Sequence, residues 1–189
     1  MGMNKNLDFL IERLSSLHRS LLRRAASQYH LQMVHLEILQ YLSVCNRYSN
    51  TAQALSEYLG QTKGSISQSL KFLEDEGLVQ REACITDRRV TRLFITDRAR
   101  DMLGQVQEAI KNPGVPGQQD DVIASALQAA LLAWQKQNHM RGFGLCHSCK
   151  HNVRIDSYSF RCGLTGEALN PVETGQICRE HEDGEKTAL

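Results

Sequence analysis

Apolar side chains recur every three or four positions over much of the chain. Residues 6–27 carry a stripe of leucine and isoleucine at this spacing, which predicts an amphipathic helix. Residues 31–45 repeat the spacing and predict a second helix. Near the other end, residues 120–139 alternate alanine and leucine with polar positions and predict a long last helix.

Between these segments lie two shorter predicted helices with clear ends. Thr51 can cap a third helix that Gly60 closes, because a threonine oxygen accepts a backbone N–H and glycine tolerates the left-handed conformation. Thr62 can cap a fourth helix that runs to about Glu76, with Gly77 at its C-terminal end.

The pattern then changes from helical to extended. Residues 78–84 and 90–95 are rich in Val, Ile, Leu and Phe and predict two strands, and Asp97 opens another helix. The segment Pro113–Gly117 predicts a break before the last helix. Three helices followed by a two-stranded ribbon is the order of a winged helix-turn-helix. We therefore expect a mainly α fold with a small β-hairpin wing.

The fourth helix combines one apolar face with one suited to DNA. Ile66, Leu70 and Leu73 share the face that should pack inward. The opposite face is small, polar or basic, and contains Gly64, Ser65, Gln68 and Lys71. The Gln68 amide can pair with adenine in the major groove, whereas Lys63 and Lys71 can meet phosphate or guanine. Taken alone, the pattern also fits a helix face exposed only to solvent.

The predicted hairpin is rich in arginine. Between Gly77 and Arg100 six arginines stand against three acidic residues. Arg88 and Arg89 fall at the hairpin tip, which suits the negative potential of a narrow minor groove. Asp87 cannot bind DNA directly, so we expect it to hold a neighbouring arginine through a charge-assisted hydrogen bond.

Overall charge identifies no partner, because 22 basic and 21 acidic residues leave a net charge of +1. DNA binding must therefore come from local placement of charge. No apolar run approaches the ~20 residues that span a bilayer. The first residues lack the basic-then-apolar order of a secretory signal, so we expect a cytoplasmic protein.

Several segments together resemble the MarR family of bacterial transcriptional regulators. They are ALSEYLG at residues 54–60, KGSISQ at 63–68, LEDEGLVQR at 73–81, DRR at 87–89 and LFIT at 93–96. The resemblance covers residues 5–140, although the first and last helices match only in kind.

The resemblance implies a homodimer joined through the N- and C-terminal helices and bound to a palindromic operator in double-stranded DNA. It implies the fourth helix in the major groove and the wing in the minor groove. The implied DNA contacts are Lys63, Ser65, Ser67, Gln68, Arg88 and Arg89, with Asp87 holding an arginine. Many family members bind small aromatic ligands, but no residue here identifies such an effector.

Beyond the family pattern lies a cluster of cysteines. Four of the six cysteines are Cys146, Cys149, Cys162 and Cys178. A CxxC pair followed by two more cysteines is typical of a metal site, and in a reducing compartment clustered cysteines more often bind metal than form disulfides. Two disulfides or unbound thiols are the alternatives. Four thiolates suit both zinc and an iron–sulfur cluster, so ligand identity does not separate them. A zinc ribbon more often has two CxxC pairs, whereas here the second pair is split by fifteen residues, but zinc is the commoner structural metal.

The chain is therefore predicted to have two parts. Residues 1–142 form the winged-helix and dimerisation domain, and 143–189 form a small module that is too poor in apolar residues to fold without a metal or a docking surface. The expected function is transcriptional regulation rather than catalysis. The module has two possible roles: it senses metal or redox state and shifts the last helix, or it only stabilises the fold. The rival interpretation is a metal or iron–sulfur protein that acts as an electron carrier or enzyme, or a protein-interaction module, with the helices serving only for assembly.

Overall fold

The computed structural model describes residues 5–84, 88–111, 120–140 and 142–184. The first part of the chain consists of helices and one hairpin. In order, these are α1 (Lys5–Gln28), α2 (Met33–Val44), α3 (Ala52–Leu59), α4 (Lys63–Asp75), β1 (Val79–Ala83), β2 (Thr91–Ile95), α5 (Asp97–Ala109) and α6 (Asp120–Gln137). Each predicted element is confirmed with ends that move by at most two residues. The break predicted at 113–117 lies outside the described residues.

The expected caps form as the sequence indicates. The Thr51 hydroxyl accepts the Ala54 N–H at 3.2 Å, and Thr62 accepts the Ser65 N–H at the same distance. Gly60 ends α3 in the left-handed conformation at φ +63°. The turn between α3 and α4 is thus fixed by short-range hydrogen bonds, which sets the angle of α4 to the domain.

One apolar core holds α2 to α5 and the hairpin together. Leu36, Leu39, Leu55, Ile66 and Leu70 are fully buried within it. In the hairpin, β1 and β2 pair antiparallel with Val79 opposite Ile95 and Ala83 opposite Thr91. The winged helix-turn-helix fold predicted from the sequence is confirmed.

Large apolar side chains remain exposed on the two terminal helices. On α1, Leu14 and Leu17 are 58% and 57% exposed, and on α6 Leu131 is 53% exposed. A single chain leaves these stripes in contact with water, which a soluble monomer seldom does over a contiguous surface. Among the described helices, none is long and apolar enough to cross a membrane.

The C-terminal segment is built from short elements. In order, they are β3 (Gly144–Leu145), a 3₁₀ turn (Cys146–Ser148), β4 (Asn152–Arg154), β5 (Phe160–Cys162), β6 (Ala168–Leu169), α7 (Pro171–Thr174) and β7 (Ile177–Cys178). Strands β4, β5 and β6 form one antiparallel sheet, and β3 pairs with β7. The β4–β5 pairing places Asn152 opposite Cys162, so the hairpin returns the third cysteine towards the CxxC pair.

Candidate nucleic-acid interface and cysteine cavity

The two faces of α4 separate as the sequence predicts. Ile66, Leu70 and Leu73 are fully buried. Most of the predicted DNA contacts on this helix are exposed, namely Lys63, Ser67, Gln68 and Lys71, and Ser65 is half-buried. The helix therefore presents polar and basic side chains to solvent while its apolar face anchors it in the core.

A polar groove borders this face where α4 meets the start of α2. Ser65 and Gln68 line it together with His30 and Gln32. At its inner end Phe72 stacks on His35, with ring centroids 4.4 Å apart. Burial lowers the pKa of His35, so its ring is neutral and its Nδ1 accepts the Gln32 N–H at 3.3 Å. Sequence reasoning missed this support for α4, because a lone histidine in an apolar helix carries no specific signal.

At least four of the six hairpin-region arginines bind groups within the winged helix. Arg81 pairs with Glu74 at 2.9 Å, and Arg100 pairs with Asp97 at 3.0 Å. Two others donate to backbone carbonyls, Arg98 to Glu76 at 2.8 Å and Arg92 to Tyr48 at 3.1 Å. The arginine content of the sequence thus overstates the charge available to DNA.

The other two arginines occupy the hairpin tip. Arg88 and Arg89 are exposed there, at the end farthest from the Val79–Ile95 pair. Asp87, predicted to hold one of them, lies outside the described residues. The candidate surface for DNA therefore consists of the outer face of α4 and this arginine tip, both carried by the same core.

All four cysteines of the C-terminal segment line one cavity of about 240 Å³. The Asn152 amide donates to the Cys146 sulfur at 3.3 Å, and the Glu182 N–H lies 3.5 Å from the Cys149 sulfur. None of the four is in a disulfide. Among the described residues, no three His, Cys, Asp or Glu side chains form a group that could hold a metal ion as they are placed.

The cavity is shared with the winged-helix part of the chain. Asn46 and Tyr48 from the α2–α3 connection and Arg92 from β2 belong to its lining. The side chain of Asn46 also hydrogen-bonds to Cys178. Sequence reasoning did not anticipate these three residues, because nothing local in a loop or a strand marks a contact with residues a hundred positions away.

The module docks on the α2–α3 connection. The Asn46 N–H donates to the Ile177 carbonyl at 2.9 Å, and the Arg179 N–H donates to the Ser49 hydroxyl at 2.8 Å. Arg47 forms an ion pair with Glu173 at 3.3 Å. Position in the sequence predicts that any influence of the module acts through the last helix, which it follows. These hydrogen bonds instead connect it to the segment that leads into α3.

The histidines near the cysteines are engaged with other groups. The His181 ring is within 2.9 Å of the Ser148 hydroxyl, and it packs so closely on Gly144 that any side chain there would collide with it. His151 lies 3.1 Å from Glu182.

Burial governs the protonation of the cysteines. It raises the pKa of Cys146 and Cys178 above the ordinary thiol value. Cys45 is buried in the core beside the module, and burial raises its pKa to about 12.

Comparison with known proteins supports the winged-helix assignment. A family model described as MarR family matches residues 35–90, which contain α3, α4, β1, the hairpin tip and most of α2. The matched region thus includes both elements of the candidate DNA surface.

Three solved structures are examples of proteins with a fold similar to that of this chain. One is a MarR transcriptional regulator from Methanosarcina mazei Go1, with 21% identity and a TM-score of 0.57 over 70% of this chain and 99% of that one. A second is the transcriptional regulator PA3341, with 24% identity and a TM-score of 0.58 over 70% and 98%. A third is MarR from E. coli in its apo form, with 17% identity and a TM-score of 0.53 over 66% and 96%. At these identities the likeness shows the fold.

Proposed function

We propose that the chain is a sequence-specific DNA-binding transcriptional regulator of the MarR type, the family whose model matches residues 35–90. The observation that carries the proposal is the outer face of α4, where Ser67, Gln68 and Lys71 are exposed while Leu70 between them is fully buried. A helix so anchored presents its polar side chains in a fixed register to the major groove. Lys63 stands at the start of the same helix, where a phosphate is favoured by the helix dipole and unpaired N–H groups.

The wing supplies the second contact. Arg88 and Arg89 at its tip are placed to enter the minor groove beside the bases that α4 meets. Phosphate contacts fix position and base contacts carry sequence information, so the two elements divide the task. Asp87, between β1 and these arginines, is assigned to orient one of them.

We assign the exposed apolar stripes of α1 and α6 to a homodimer interface. Two copies would bury Leu14, Leu17 and Leu131 and bring two α4 helices to a palindromic operator. The spacing of half-sites in such complexes is about one helical turn, ~34 Å. A small-molecule effector is compatible with this arrangement, although no contact among the described residues identifies one.

We assign a metal centre to Cys146, Cys149, Cys162 and Cys178, with the state of that centre regulating DNA binding. The support is that one cavity collects all four side chains although up to 32 residues separate them in sequence. A freely acting electron carrier is less well supported, because the cavity is walled in part by Asn46 and Arg92 of the winged-helix fold.

A selection experiment tests the DNA-binding assignment. Purified full-length chain is used to enrich duplexes from a library with a random core of roughly three helical turns, and the enriched pool is sequenced. We expect a palindromic consensus to emerge after several rounds. A pool that stays random, with no gain in affinity over the starting library, would overturn the function proposed here.

A further inference from the structure

The size of the cysteine cavity favours the larger of the two metal centres that four thiolates accept. A single zinc ion sits about 2.3 Å from each sulfur and takes less room than one water molecule, whose share of liquid volume is about 30 Å³. The cavity lined by the four cysteines measures about 240 Å³. Nine other residues line it besides the four cysteines, and its volume exceeds what one metal ion fills.

We propose that the four cysteines bind an iron–sulfur cluster in a cavity that the α2–α3 connection and the wing strand help to close. This inference rests on the four-cysteine centre of the proposed function and names its chemistry. The cluster would be held by Cys146, Cys149, Cys162 and Cys178, and its other walls would include Asn46, Tyr48 and Arg92.

The surroundings of the cavity suit an anionic cluster. A cluster held by four thiolates carries net negative charge, and hydrogen bonds to its sulfurs stabilise it. The Asn152 amide and the Glu182 N–H already point at the Cys146 and Cys149 sulfurs. Arg92 brings a positive charge to the lining and Glu180 a negative one, and Leu164 and Leu169 add apolar surface.

Arg92 also connects the cavity to the candidate DNA surface. Its guanidinium donates to the Tyr48 carbonyl at 3.1 Å and to Asn50 Oδ1 at 3.3 Å. On the next residue, the Leu93 N–H donates to the Asn50 carbonyl at 2.9 Å. Strand β2, which follows the arginine tip, is therefore hydrogen-bonded to the α2–α3 connection, and that connection also lines the cluster site.

The connection in turn leads into the helix-turn-helix. Thr51, the residue after Asn50, caps α3. Removal of the cluster would take negative charge from the cavity that Arg92 lines and would remove a neighbour of Asn46 and Tyr48. The wing and α3 would then be without a common support, so DNA affinity should fall.

The chemistry of the centre is tested on full-length chain purified without oxygen. We expect iron and acid-labile sulfide in matching amounts, with absorption near 400 nm. Cys162→Ser should abolish both, whereas Cys84→Ser, a matched change outside the module, should keep them. One zinc per chain without sulfide would overturn the cluster and leave the four-cysteine centre and DNA binding in place. Absence of iron and sulfide after reconstitution with both would also overturn it.

The link to DNA is tested by titrating an enriched duplex with cluster-loaded and cluster-free chain. We expect removal of the cluster to weaken binding by about 5- to 150-fold, the usual range of coupling between sites. Arg92→Gln should shrink this difference, while Arg161→Gln, an exposed arginine on β5, should leave it intact. Equal affinities of loaded and cluster-free wild-type chain would refute the link. Loaded chain that binds no duplex would instead refute the proposed function and leave the cluster standing.

Discussion

Arg179 and Glu57 form a two-pronged ion pair that joins the cysteine module to α3. The Arg179 Nε lies 2.6 Å from Glu57 Oε2, and Nη2 lies 2.8 Å from Oε1. Arg179 directly follows Cys178, and Glu57 lies on the first helix of the helix-turn-helix. The pair thus fixes the last cysteine of the cavity to an element of the winged-helix fold across 122 residues of sequence.

Breaking this pair should loosen the module without unfolding the winged helix. Because both side chains are partly exposed, at 19% and 29%, we expect a coupling energy of about 1 kcal/mol in the cycle of Arg179→Gln, Glu57→Gln and the double variant. The free energies of unfolding in urea of the wild type and the three variants give this coupling energy. Arg161→Gln serves as control. A coupling energy of zero would show that the pair contributes only to local geometry.

The arginine tip should control the salt dependence of DNA binding. Arg88→Ala with Arg89→Ala should weaken binding and flatten the plot of log affinity against log salt, by about 0.9 for each phosphate that the tip no longer neutralises. Fluorescence anisotropy over a series of salt concentrations gives the slope. The pair Arg154→Ala and Arg161→Ala removes the same charge from the module and should leave the slope unchanged. If the tip variant keeps the wild-type slope, the wing does not contact DNA.

Gln68 should contribute to sequence preference more than to affinity in general. A bidentate contact with a base is worth about 1–3 kcal/mol of discrimination, or roughly 5- to 150-fold. Gln68→Ala should reduce affinity by that factor on the selected duplex and little on a shuffled one. Gln107→Ala, the same change on the exposed face of α5, is the control. Equal reductions on both duplexes would mean that Gln68 contacts no base.

The terminal helices should hold the dimer together. Leu14→Glu or Leu131→Glu places a charge in the proposed interface, where each buried leucine would contribute about 1.5–3 kcal/mol. We expect light scattering to give twice the 21.3 kDa chain mass for the wild type and a single chain mass for either variant. Val172→Glu, at a 74% exposed apolar position in the module, should remain dimeric. A wild type that is monomeric at micromolar concentration would contradict the interface.

Local patterns predict most of the winged-helix part. The caps at Thr51 and Thr62 and the inward face of Ile66 and Leu70 follow from rules that act within one or two helical turns. The two strands of the wing also follow, because their apolar positions must share one face. The same kind of rule predicts that a β-hairpin brings Cys162 towards the CxxC pair.

Long-range contacts are beyond sequence reasoning. In the sequence Arg92 counts among the charges of the wing, yet its guanidinium turns inward to Tyr48 and Asn50. Arg179 gives no sign of its partner on α3, since an isolated arginine pairs with any acidic residue that the fold brings near. Sequence adjacency favours the last helix as the route from module to DNA, whereas hydrogen bonding favours the α2–α3 connection. These contacts depend on how the fold brings distant residues together, and short-range periodicity in the sequence does not encode that placement.

Recognition of a palindrome by paired α4 helices and wings is tested most directly by two measurements. The affinity of the chain is measured for the selected duplex and for a shuffled duplex at one salt concentration, and a hydroxyl-radical footprint is recorded on the selected duplex. We predict at least a ~10³-fold preference for the selected duplex. We also predict two protected half-sites about 34 Å apart. Equal affinity for the two duplexes with no bounded footprint would contradict the account.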